Sequence, residues 1–88
     1  MLILNDQKDE AGEYRRKAID LYREKLVFFP NDDRLHFNLG KNYMIDRQWT
    51  PAEEHLRRAM ALDPRNALYR STLEQLYTYR ANPEMELK

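Results

Sequence analysis

The chain has 88 residues, 42% of them hydrophobic and 34% charged, with 15 basic and 15 acidic side chains that cancel to a formal net charge of zero. A neutral balance argues against a nucleic-acid binder, whose footprint is a basic stripe, and the absence of cysteine excludes a disulfide framework or a thiolate zinc site. No apolar run approaches the roughly 20 residues needed to span a bilayer, so a cytoplasmic protein with no membrane partner is expected.

Only two glycines and four prolines interrupt the chain, which favours helices over a many-turned β fold. A first helix is predicted from Asp6 or Gln7 to Phe29. Its stripe of Ala11, Tyr14, Ala18, Leu21, Tyr22, Leu26 and Phe29 has helical rhythm, and Pro30 stops it. Asn31 or Asp32 can cap a second helix over Asp33 to Arg47, with Leu35, Leu39, Tyr43 and Met44 or Ile45 inward. Thr50-Pro51-Ala52-Glu53 reads as a capping box with proline at the first helical position, opening a third helix to Leu62. Asn66 can cap a fourth over Ala67 to Arg80, with Leu73, Leu76 and Tyr77 inward. The expectation is a single domain over 1–88, with 1–5 and 84–88 frayed. Glu13/Lys17, Glu53/Arg57 and Glu54/Arg58 are acid-before-base pairs at i,i+4, each adding a few tenths of a kcal/mol (about 0.3) to helix stability.

The chain also matches itself at an offset of 34 residues. Ala18 then meets Ala52, Arg23 meets Arg57, Pro30 meets Pro64, Leu39 meets Leu73, and Tyr43 meets Tyr77. Asp33–Asn66 closely resembles one complete tetratricopeptide repeat, a pattern with a period of about 34. The matching residues are His36, Leu39, Gly40 and Tyr43, then Trp49, Ala52 and Leu56, then Ala59 and Leu62-Asp63-Pro64. His36 takes the slot usual for tryptophan. The resemblance covers one full repeat flanked by two half repeats. It implies an all-α fold of about four antiparallel helices in the helix-turn-helix repeat style. Gly40 and Ala52 are small because the two helices of a pair must approach closely. Lys25, where the preceding half repeat should have a small residue like Ala59, implies loose or exposed packing. Glu74, in the place of Gly40, fits a terminal helix with no partner crossing it.

Function follows from the same resemblance. It implies a non-enzymatic protein-interaction module that needs no cofactor and binds a protein or peptide in a concave groove. Carried onto this chain, the groove residues are Arg34, Phe37, Asn38, Lys41 and Met44 on the second helix, with Ser71, Gln75 and Tyr79 on the fourth. Leu68 and Thr72 of the fourth helix face the groove with them. In that picture Arg34 and Lys41 hold a carboxylate, and Phe37 or Tyr79 stacks on an apolar side chain. Some members of the family clamp a chaperone C-terminus between basic side chains. Asn38 fits that clamp, but Leu68 and Thr72 replace its basic pair, so no such clamp is expected. His36 is expected in the core and His55 half exposed, at no metal-ligand spacing. The alternative function is self-assembly. Repeat units bury their faces on neighbours, and about three are normally needed for stability. Tyr14, Tyr22, Phe28, Phe29, Leu76 and Tyr77 form apolar terminal faces suited to a homo-oligomer or a helix-swapped dimer.

Overall fold

The structure is a computed structural model that describes residues 2–84, with side chains from residue 10 onward. Among the described residues there are four helices and no strand: α1 (Leu2–Phe28), α2 (Asp33–Ile45), α3 (Trp49–Leu62) and α4 (Ala67–Ala81). The all-α expectation holds. The predicted fraying of the last residues falls at 85–88 outside the described residues, while Glu84 lies in an exposed turn.

α1 begins earlier than Asp6 or Gln7, because residues 2–5 contain neither glycine nor proline to break it. It packs only on α2, which packs on α3, which packs on α4; α4 also reaches back to α2. Asp32 caps α2. Its carboxylate accepts from the backbone N–H of Arg34 at 3.0 Å and of Leu35 at 3.3 Å. Asn66 caps α4 in the same way, accepting from Leu68 N–H at 3.0 Å.

The α2–α3 turn departs from expectation. α2 stops at Ile45 rather than Arg47, and Arg47 sits in the left-handed region at φ 60°. Its N–H donates to Met44 O at 2.9 Å, and Gln48 N–H donates to Tyr43 O at 2.9 Å. These two bonds are the Schellman arrangement, here with arginine in the place glycine usually fills. The reversal delivers the chain so that α3 starts at Trp49, with Gln48 as a cap that makes no side-chain bond to the helix. The predicted Thr50 capping box therefore does not form. Thr50 is inside the first turn, and Pro51 is tolerated there because first-turn N–H groups have no intrahelical acceptor. Glu53 is diverted outward, where its carboxylate accepts from Tyr77 Oη at 2.7 Å, Arg80 Nη1 at 3.0 Å and Arg57 Nη1 at 3.5 Å.

The core joins Ile19 of α1, Phe37, Leu39, Tyr43 and Met44 of α2, Ala52, Leu56 and Ala59 of α3, and Tyr69, Leu73 and Leu76 of α4. Tyr22, Leu26, Trp49, Met60 and Tyr79 cover its edges. The expected close crossing is present. A Cβ added at Gly40 would lie 2.8 Å from Leu56 Cγ, so glycine lets α2 and α3 touch. Lys25 is exposed, as its departure from the small-residue pattern implied. Of the other predicted pairs, Arg58 turns away from Glu54 and donates to Asn31 Oδ1 at 2.8 Å, pinning α3 to the α1–α2 turn.

Candidate protein-binding groove

α2 and α4 are joined by an aromatic stack. The Phe37 ring meets the Tyr69 ring at 4.7 Å between centres with a 32° tilt. The Tyr69 hydroxyl donates to Asp33 Oδ2 at 2.6 Å. Burial, then the Asp33 hydrogen bond and charge, push the Tyr69 phenol up to about 12. Above the stack, Lys41 Nζ stands 5.5 Å from the centre of the Phe37 ring. That separation is within cation–π range. Phe37 and Met44 are buried in the chain rather than open to a ligand, and Tyr69 occupies the Phe37 face. Tyr69 went unnoticed in the sequence. The available signal was its place 34 residues after the inward Leu35.

The remaining groove residues are polar and accessible. Arg34 and Lys41 are exposed and Asn38 is half-buried. Asn38 also offers its backbone carbonyl to Asn42 Nδ2 at 2.8 Å. On α4, Ser71, Gln75 and the half-buried Tyr79 line an open hollow of about 350 Å³ together with Glu74 and Thr78. Ser71 and Gln75 stand 34 residues after Phe37 and Lys41, so they occupy the same face of successive repeats. Thr72 is buried and Leu68 is exposed. Glu74 and Thr78 were not among the expected groove residues. Their position beside Gln75 follows from helical spacing once the open side of α4 is known.

The residues expected on terminal faces divide. Tyr14, Phe28 and Phe29 are exposed, and Tyr22 packs half-buried on the core. Leu76 is a correction: it is fully buried, because α4 docks on α3 and α2 through that side. Tyr77 is exposed, and its hydroxyl donates to Glu53.

The two histidines, far apart in sequence, come together. Their rings stack at 5.3 Å, with Nδ1 to Nδ1 at 3.0 Å, and Tyr43 also stacks on His55 at 5.9 Å. His36 Nε2 donates to the Pro30 carbonyl at 2.7 Å. A ring that keeps its single proton at that nitrogen accepts at Nδ1, and Nδ1 of His55 then donates to it. Burial holds the His55 imidazole below its ordinary value. His36 and Arg23 act in the same direction, and Glu54 opposes. Among the described residues no group of three or more His, Cys, Asp or Glu side chains could hold a metal ion. No described helix is long and apolar enough to cross a membrane.

Antiparallel helices in a chain, with the central pair packed through a glycine–leucine crossing, define a helical-repeat protein. Residues 33–66, the span of one full repeat, match the tetratricopeptide-repeat family. A stretch of 61 residues is 33% identical to Protein O-mannosyl-transferase F38B6.6 of Caenorhabditis elegans, covering 69% of this chain and 9% of that protein. The chain therefore spans a small fraction of the curated relative it matches. No solved structure matches the chain. Tetratricopeptide repeats in general mediate protein–protein interaction.

Proposed function

We propose that this chain is a non-catalytic interaction module that receives an acidic peptide across α2 and α4. One observation supports the reading: the Asp33–Tyr69–Phe37 tie holds α2 beside α4, and Arg34 and Lys41 are exposed; helical spacing gives Lys41 the repeat position that Gln75 takes on α4. A packed helix fixes where the backbone of Arg34 and Lys41 sits, so binding has only the side chains themselves left to order. With Phe37 and Met44 buried, recognition rests on polar contacts. Arg34 and Lys41 accept a carboxylate, Ser71 and Gln75 hydrogen-bond the peptide backbone, and Tyr79 supplies the apolar contact.

Selection from a displayed library of random peptides tests this. Acidic sequences are expected, and Lys41→Glu should weaken the selected peptide on the order of tenfold, about 1.4 kcal/mol. Selected peptides that bind the Arg34→Glu and Lys41→Glu variants as tightly as the parent, or a library that yields no binder, would overturn the groove.

A second reading is favoured by one observation, the exposed aromatic side chains along α1. In that reading the chain associates with itself.

A further inference from the structure

α1 carries two apolar stripes where a helix packed on one neighbour needs a single one. The first stripe, Ile19, Tyr22 and Leu26, faces the core. Arg15 lies on the same side, its Nε 3.7 Å from Asp46 Oδ1 at the C-terminal cap of α2. α1 and α2 run antiparallel, so the segment of α1 before Arg15 projects past the end of α2 by about 20 Å, from the helical rise per residue. The second stripe is Tyr14, Ala18, Leu21, Lys25 and Phe28. Its spacing of four, three, four and three residues is the heptad rhythm of a coiled-coil seam. Tyr14, Leu21 and Phe28 on this stripe are 64%, 48% and 74% exposed, and no other element of the described chain covers them.

From this stripe we infer that α1 pairs with α1 of a second copy as an antiparallel two-helix seam. The inference develops the self-association reading and does not use the groove. The stripe is complementary to itself when reversed. Ala11 then lies opposite Phe28 of the second copy, and Ala18 opposite Leu21, small against large as close packing requires. Tyr14 lies opposite Lys25, whose aliphatic stem covers the ring while its ammonium reaches water. The flank away from α2 carries Lys17 and Glu24, both exposed. Antiparallel pairing sets Lys17 against Glu24 of the other copy, and the two-fold axis repeats the contact. Parallel pairing would instead stack Lys25 on Lys25 within the seam, where like charges repel. The α2 side of α1 is left free of the seam, so the four-helix body is undisturbed.

Sedimentation equilibrium on the 88-residue chain tests this, with circular dichroism to confirm that every variant keeps its helix content. A reversible dimer is expected, abolished by Leu21→Asp. Lys17→Glu and Glu24→Lys should each weaken the dimer on the order of tenfold, because two symmetric pairs turn repulsive at once. The Lys17→Glu, Glu24→Lys double variant should regain the parent affinity, which neither a parallel pair nor an unrelated partner helix would give. Lys41→Glu should leave the dimer intact, so a failed groove and a failed seam are told apart. A monomer at millimolar concentration, or a double variant as weak as the single ones, would overturn the proposal.

Discussion

Replacing Gly40 with alanine probes the contact on which the repeat is built. The added Cβ would meet Leu56 Cγ at 2.8 Å, Leu56 Cδ2 at 2.9 Å and the Leu56 backbone nitrogen at 3.1 Å. A change of leucine rotamer can move Cγ and Cδ2 at the expense of their packing, but the backbone nitrogen moves only if α3 shifts away from α2. Leu56, Ala52 and Ala59 are fully buried, so that shift loosens the whole α2–α3 interface. Overpacking of this kind costs about 1–3 kcal/mol. Alanine offsets about 1 kcal/mol of it through its better helix propensity. A net loss of up to about 2 kcal/mol remains, and a domain of this size loses roughly 4–8 °C of Tm per kcal/mol. Gly12→Ala is the matched control. Its Cβ meets only Arg16 Nη1, at 3.7 Å. The propensity gain of about 1 kcal/mol should therefore appear undiminished. Thermal and urea unfolding followed by circular dichroism measures both. If Gly40→Ala gains stability as Gly12→Ala does, the close crossing does not hold α2 against α3 and the reasoning fails.

Two further outcomes are expected. Asp32→Ala removes the acceptor for two α2 N–H groups. It should cost about 1 kcal/mol in urea unfolding, with Asp32→Asn retaining most of the cap; equal losses in the two variants would show that the cap is not the cause. His55 has a folded-state value below its ordinary 6.5, so the folded protein binds fewer protons than the unfolded chain as the pH falls through that range. Its contribution to stability is present above 6.5 and is lost as the pH falls through the folded value. Urea midpoints between neutral and mildly acidic pH should therefore fall for the parent and fall less for His55→Asn; parallel curves would place the acid sensitivity elsewhere.

Much of the fold was legible because the repeat is a local code. Helix ends were readable where one residue decides them: Pro30 and Pro64 cannot continue a helix, and Asp32 and Asn66 carry the short side chains that caps need. Gly40 and Ala52 were readable as a close approach because only small residues permit one. The α2–α3 turn was not readable. Thr50-Pro51-Ala52-Glu53 fits a capping box locally, but the left-handed Arg47 and its two backbone bonds start α3 sooner, and Glu53 finds stronger partners on α4. The groove was legible as a face and not as a set of contacts. Helical spacing places Phe37, Lys41, Ser71 and Gln75 on one side, yet whether Phe37 is open depends on Tyr69, which belongs to a different helix and the next repeat.

The sequence by itself determined the class of fold, the period and the pairing of α2 with α3, because periodicity, breakers and small residues act over one or two turns of helix. Only the tertiary structure decided which apolar residues remain exposed. Leu76 and Phe28 are both strongly apolar in the sequence, but the docking of α4 buries the first and leaves the second in water. It also set His36 against His55 and gave α1 a second, uncovered stripe. Those outcomes depend on the angle and depth at which whole helices meet, which no stretch of the chain encodes alone.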